Sequence, residues 1–475
     1  MLKQWKQRLS LFLVITAVLV FSIQSMVQAA PNIVVNNIRV SQTAEAVRFV
    51  FDVTDLPQYK VMTLENPLRL VIDMPGTVNK AAAQYNLNDP TVKGLRLAQF
   101  EPGKLRAVVD LKTVYMYKIF TLPNPNRLVV DIIKDYEHKL VDEVVPGITY
   151  TSWLRHAANG PVWAHILDID PKTGFAVKPV LSNGMIQGLE PLLPMAQRSR
   201  AIAAVNGSYF GLDGSIIGLL KIDGEIASTP ELPRTALGIL PTGDLFIDQV
   251  SYEGKIELPG GKTAAIQAVN RERGENELVL YNGLYAPATG CNQHGMEYII
   301  VNGKVTAINT GNSPIPPDGV VLSAHGTAAR PLAGLKVGDT VTVRQTLGSE
   351  WDKTQHALGA GPMLIKNNSV FLTTKMEEFG PDVAGGRAPR TAIGLKDDGH
   401  ILAVVVDGRQ DSSIGMSLLE LALFMQELGA RDAMNLDGGG SSEMVIQGKI
   451  VNKPSDKRER RVGNALVIIP SRVAN

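Results

Sequence analysis

Carboxylates, a guanidinium and a run of glycines fall close together in residues 400–446. Asp407-Gly408-Arg409 lies near the start and Asp437-Gly438-Gly439-Gly440-Ser441-Ser442-Glu443 near the end. Asp437 and then Asp407 are the first candidates for a carboxylate that attacks carbon or takes a proton from water, with Glu443 and Asp411 behind them. Arg409 can grip a phosphate or carboxylate through two parallel hydrogen bonds. Gly438, Gly439 and Gly440, followed by Ser441 and Ser442, let backbone approach a ligand closely and turn N–H groups toward an anion. A plainer reading competes with this, because Asp-Gly and Gly-Gly are ordinary turn formers and a buried Asp often caps a turn. No Lys follows the glycines as a P-loop would require, and the G-x-S-x-G elbow of a Ser nucleophile is absent.

The elements around these residues would have to hold them together. Ile401 to Val406 is β-branched and apolar, which predicts a buried strand ending at Asp407. Ser417 and Glu420 form a capping box for a helix with Leu418, Leu421, Ala422, Met425 and Leu428 on one face, and Gly429 can close it. Ala433 to Leu436 then leads into Asp437. A strand, a helix and a strand of this length predict a parallel crossover, with Asp407 and Asp437 leaving one sheet at the same edge.

Upstream segments add to this set. Ala201 to Val205 predicts a buried strand that ends in Asn206-Gly207-Ser208-Tyr209-Phe210, placing the Asn206 amide at a strand end where it can face a cleft or close an Asx turn. Pro233-Arg234-Thr235-Ala236-Leu237-Gly238 is echoed by Pro389-Arg390-Thr391-Ala392-Ile393-Gly394. Either arginine suits bidentate recognition of an anion. Arg390 is preferred over Arg234 because it lies just upstream of the strand that ends at Asp407. Residues 245–355 read as a β-rich insertion, and Pro191 to Arg200 as a helix. His294, His325 and His356 lack metal-binding spacing, so neither a metal nor another cofactor is expected.

The formal net charge of +1 over 475 residues calls for no nucleic-acid partner. Lys3, Lys6 and Arg8, the apolar run Leu9 to Phe21 and small residues before Ala30-Pro31 predict an export signal over 1–29, with no integral membrane domain after its removal. Cys291 is the only cysteine, which excludes an intrachain disulfide and fits a bacterial envelope.

Residues 31–135 repeat themselves. A shift of 58 lays Val47-Arg48-Phe49-Val50-Phe51-Asp52 on Leu105-Arg106-Ala107-Val108-Val109-Asp110, and Asn66-Pro67-Leu68-Arg69-Leu70-Val71-Ile72-Asp73 on Asn124-Pro125-Asn126-Arg127-Leu128-Val129-Val130-Asp131. Each copy predicts about four strands, and the two would pack as two related small sheets around one core. The Arg and Asp pairs on one strand face read as register-fixing surface pairs. The duplicated Asn-Pro-x-Arg-Leu-Val segments resemble the AMIN family, which implies an all-β, non-catalytic module that binds peptidoglycan or another envelope polymer through residues 31–135. Residues 136–147, acidic and ending in Pro146-Gly147, read as a linker to a larger domain over 148–475.

In that larger domain the ordered set Asn206-Gly207-x-Tyr209-Phe210, Gly361-Pro362, Arg390-Thr391-Ala392-x-Gly394, Asp407-Gly408-Arg409, Asn435-Leu436-Asp437-Gly438-Gly439-Gly440-Ser441-Ser442 and Arg461-Val462-x-Asn464-Ala465 resembles the phosphodiester glycosidase family. The resemblance implies an α/β (α+β) domain with a β-rich insertion. It also implies hydrolysis of a glycan-1-phosphodiester or wall polymer of N-acetylglucosamine type. The catalytic residues would be drawn from Asp437, Asp407 and Glu443. Asn206, Arg234, Arg390, Arg409, Gly438, Gly439, Gly440, Ser441 and Ser442 would bind substrate.

Overall fold

Strict alternation governs the N-terminal strands. In Ala46–Val53, Val47, Phe49, Phe51 and Val53 are buried while Arg48 and Asp52 point outward. The computed structural model describes residues 33–471 apart from 44, 65–66, 113–114, 135–136 and 158–159, so the expected signal segment lies outside the described residues. The chain divides into units 1–136 and 137–475.

The first unit has two five-stranded sheets around one core that includes Phe49, Phe51, Leu70, Ile72, Leu105, Val109, Leu128 and Val130. Burying each large side chain contributes roughly 1.5–3 kcal/mol. The two repeats do not each build a sheet. Ile33–Gln42 and Ala46–Val53 of the first copy pair with Arg127–Ile133 and Met116–Leu122 of the second, and Lys60–Leu64 and Arg69–Pro75 of the first pair with Lys104–Leu111 and Val92–Glu101. Each sheet is therefore half of one copy and half of the other. The outward charges knit this exchange: Arg48 grips Asp131 at 2.6 Å and Arg106 grips Asp73 at 2.6 Å, both from one copy to the other. Such pairs contribute at most about 1 kcal/mol each, so their role is register more than stability.

In the second unit an eight-stranded sheet runs Glu137–Val145, Ile148–Ala157, Gly160–Ile169, Ile401–Val406, Arg390–Lys396, Ala430–Asn435, Met363–Lys366, Ser369–Val370, with every neighbouring pair antiparallel. The expected linker is corrected here, because 137–145 is the edge strand of this sheet. The sheet is buried on both faces. Ile401, Ala403 and Val405 join a core with Val205, Leu237, Leu358 and Leu466 from two further five-stranded sheets. Leu402, Val404 and Val406 pack instead with Leu418, Leu421, Phe424 and Met425 of the helix Leu418–Glu427. This accounts for the unbroken apolar run at 401–406, where no alternation is possible. The helix forms as expected: Ser417 Oγ accepts from Glu420 N–H at 3.3 Å, Glu420 Oε2 accepts from Ser417 N–H at 2.9 Å, and Gly429, with φ of 86°, ends the helix.

Residues 253–346 add a three-stranded and a five-stranded sheet, in agreement with a β-rich insertion. The α/β label holds only loosely, for the described residues are 51% strand and 10% helix. The strands ending at Val406 and Asn435 are parallel to each other, joined through the capped helix, but an antiparallel strand, Arg390–Lys396, lies between them. A single crossover looks like α/β in sequence whether or not its strands are direct neighbours. Among the described residues no helix is long and apolar enough to cross a membrane.

Candidate active site

The interposed strand brings three motifs to one edge. Arg390 sits opposite Val406, and Ala392 opposite Asn435, so Arg390 begins its strand where the other two strands end at Asp407 and Asp437. Met363 opposite Met434 adds Gly361-Pro362 to the same edge. From the neighbouring sheet Asn206 reaches in: its Nδ2 donates to Asp437 O at 2.6 Å, and its Oδ1 accepts from Thr391 Oγ1 at 2.7 Å and Glu443 N–H at 3.1 Å. Asn206 is fully buried and its amide is engaged at both ends. Sugar contact through Asn206, expected from sequence, is replaced in this geometry by a latch that joins three segments.

Asp437 is only partly buried as a residue, but its carboxyl is enclosed. Burial pushes its pKa up to about 6, against the pull of the Ser441 hydroxyl beside it, Gly438 N–H at 2.8 Å from Oδ1, and the Arg460 guanidinium. The carboxyl is thus mainly ionised at neutral pH yet poorly solvated, which is the condition of a reactive carboxylate. Gly439 adopts φ of 62°, and the Arg409 and Arg460 guanidinium groups lie against Gly439 and Gly440, where a Cβ would fall 3.2 Å from Arg409 and 2.0 Å from Arg460. Only glycine admits the arginines so close.

Four of the five N–H groups of residues 438–442 are spent within the protein, which narrows the anion-binding set expected from sequence. Gly438 donates to Asp437 Oδ1, Gly439 to Pro389 O, Ser441 to Gly438 O and Ser442 to Gly439 O. What remain are side-chain atoms: the buried Ser442 hydroxyl, Glu443 Oε1 and Asn435 Oδ1 have no hydrogen-bond partner. Three such orphans in nine residues mark a place built to be completed by a ligand or by water.

The other expected residues are placed differently. Asp407, 1% exposed, accepts from Asn452 Nδ2 and Lys453 N–H at 3.0 Å each and lies 3.4 Å from His165 Nε2, so it fastens the 452–453 segment. Arg390, 3% exposed, donates to the carbonyls of Met416, Val383 and Gly386 at 3.0, 2.9 and 3.1 Å. The preference for Arg390 over Arg234 as ligand contact is therefore reversed by the geometry: Arg390 ties loops, while Arg234 has an unpartnered Nε and lies over the Phe379 ring at 4.5 Å. Glu443 is buried against Glu459, and burial followed by that neighbouring carboxylate pushes its pKa up to about 8, so it holds a proton at neutral pH.

Sequence reasoning did not single out Arg460, Glu459, Phe379 or Asn452, and gave Tyr209 no role. Tyr209 donates to Gly361 O and accepts from Asn435 Nδ2, both at 2.9 Å, and its ring lies 5.8 Å from Phe379. Its pKa is raised by burial and by Asp437. Tyr209, at the end of the Asn206 strand, could have been found by the same strand-end argument. Among the described residues no three His, Cys, Asp or Glu side chains gather to hold a metal ion. A cavity of about 500 Å³ against Asp168 and His400 lies apart from this site.

Residues 294–469 match the family model described as phosphodiester glycosidase, and 37–132 match the AMIN domain model. The chain pairs an AMIN domain with a phosphodiester glycosidase region. Over 173 residues it is 37% identical to the mouse N-acetylglucosamine-1-phosphodiester alpha-N-acetylglucosaminidase, covering 33% of each chain. Over 94 residues it is 35% identical to the N-acetylmuramoyl-L-alanine amidase AmiC of Neisseria meningitidis, covering 18% of this chain and 23% of that one. The chain thus spans a third or less of these relatives. A hypothetical protein from Synechocystis shares the fold, with a TM-score of 0.66 at 24% identity, over 92% of this chain and 81% of that one. The AMIN domain and phosphodiester glycosidase region agree with the resemblances read from the motifs.

Proposed function

We propose that the protein is an exported envelope hydrolase that cleaves a glycosyl phosphodiester, of N-acetylglucosamine type, at the sugar C1–O bond. The observation that carries this reading is Asp437: an enclosed carboxylate at a strand end, beside a glycine turn flanked by two guanidinium groups, within the segment that matches the phosphodiester glycosidase model. Breaking C1–O expels a phosphate monoester, whose second pKa is roughly 6, so the leaving group needs charge stabilisation more than a strong acid. Arg409 and the Ser441 and Ser442 hydroxyls supply that stabilisation. The cationic character that develops at C1 is met by Asp437, as nucleophile or as base for water. Glu443 carries its proton as a neutral donor. Asp407, Arg390 and Asn206 act as positioning residues that hold the strand ends and loops around Asp437.

The AMIN domain supports placement at peptidoglycan or another wall polymer, in keeping with the basic and apolar character of residues 1–29. Incubation with a GlcNAc-1-phosphodiester in ¹⁸O-water tests the reading. Label in the released sugar is expected. Label in the phosphate would assign P–O cleavage instead, and absence of product would leave a glycan-binding protein.

A further inference from the structure

The two Pro-Arg-Thr-Ala-x-Gly segments occupy equivalent places in two sheets. Arg390–Lys396 has Ala392 opposite Asn435, with Leu436 N–H donating to Thr391 O at 2.8 Å. Arg234–Ile239 has Ala236 opposite Gly359, with Ala360 N–H donating to Thr235 O at 3.2 Å. By this register Gly361 stands to Arg234 as Asp437 stands to Arg390. The two strand tips are joined directly, since Gly361 N–H donates to Asn435 O and Asn435 N–H to Pro362 O, both at 3.0 Å. Tyr209 bridges them through Gly361 O and Asn435 Nδ2. The site therefore consists of two abutting half-sites, of which one holds the carboxylate.

Their arginines are used differently. Arg390 is bound to three backbone carbonyls. Arg234 has neither a carboxylate partner nor a hydrogen bond among the described residues, its buried Nε is unpartnered, and one face of its guanidinium rests on Phe379. The nearby acid does not serve it. Glu377, against which a Cβ at Gly361 would fall at 2.5 Å, is saturated by Thr235 N–H at 2.9 Å, Thr235 Oγ1 at 2.5 Å, Met363 N–H at 3.3 Å and Thr373 Oγ1. A guanidinium pre-set on an aromatic ring with its donors unspent is arranged for an incoming anion.

Resting on the reading of Asp437 as the carboxylate of a phosphodiester glycosidase, we infer that Arg234 is a second anion-binding position, so that the preferred substrate carries a further anionic group, phosphate or carboxylate, beyond the scissile phosphodiester. Such a substrate is a charged repeating glycan, in contrast to a single sugar phosphate on a neutral residue.

Three synthetic compounds decide this: GlcNAc-1-phospho-6-GlcNAc whose second sugar carries a neutral methyl aglycone, a methyl phosphate aglycone or a carboxymethyl aglycone. In the wild-type chain the second anion should raise kcat/KM by about tenfold or more, as a charged hydrogen bond allows. Comparison of the phosphate and carboxylate compounds identifies which anion is taken. In Arg234→Gln that preference should shrink to within about twofold, and Arg234→Lys should retain part of it. Equal turnover of charged and neutral compounds by the wild type, or an equal loss on all three in Arg234→Gln, would overturn the inference. Calorimetry on Asp437→Asn, with and without Arg234→Gln, reads the same preference without turnover. If the wild type cuts none of the compounds, the hydrolase reading fails while the binding preference, present or absent, still decides the role of Arg234.

Discussion

Ionisation and burial oppose each other at Asp437. Its pKa lies at about 6 against an ordinary 3.8, so the folded state holds this proton more tightly than the unfolded one. That contribution to stability is complete below pH 3.8 and is lost as pH rises through about 6. At pH 7.5 the ionised carboxylate costs roughly 3 kcal/mol. Asp437→Asn should therefore abolish turnover and raise the denaturation midpoint at pH 7.5, with the gain vanishing near pH 4. Turnover by the wild type should fall as pH drops below about 6. A variant that lost both activity and stability at pH 7.5 would place Asp437 in the fold instead of the chemistry. Asn206 is the opposite case: Asn206→Ala strips partners from Asp437 O, Thr391 Oγ1 and Glu443 N–H, and should lower stability by about 2–4 kcal/mol in urea titration. Retained stability in that variant would refute its role as a latch.

Elements were more legible than the sites they carry. The capping box, the apolar helix face and the glycine stop are local signals, and each is found where the residues indicate. What could not be read locally is pairing. Arg390 looks like a ligand contact until Met416, Val383 and Gly386 turn their carbonyls on it, and Asp407 looks open until the 452–453 segment closes over it. Arg460 and Glu459 follow the triglycine by about twenty residues, in a segment with no periodicity to mark its return to the site. Residues 137–145 read as a linker because an edge strand exposed to solvent has polar composition. The helix matters to the site because its first turn lies beside Met416, whose carbonyl holds Arg390. Ser417→Ala should cost about 1 kcal/mol and speed hydrogen exchange at residues 418–421, with smaller effects elsewhere. Unchanged exchange there would show that packing alone fixes the helix start.

At the scale of the whole chain, the binding and the chemistry proposed above fall to separate compact units. Deletion of residues 33–134 should leave hydrolysis of a small soluble phosphodiester within about twofold and abolish co-sedimentation with purified peptidoglycan. Loss of hydrolysis in that variant would contradict the division of labour.

The exchanged hairpins of the N-terminal unit carry one more consequence. A polypeptide holding a single repeat has two hairpins whose pairing edges both require strands from another copy. Expressed alone, it would assemble in twos, each chain lending the other what the present molecule keeps within one backbone. The duplication thus supplies within one backbone the pairing that a lone repeat would have to find in a second chain, and neither repeat can be trimmed away without unmaking both layers at once.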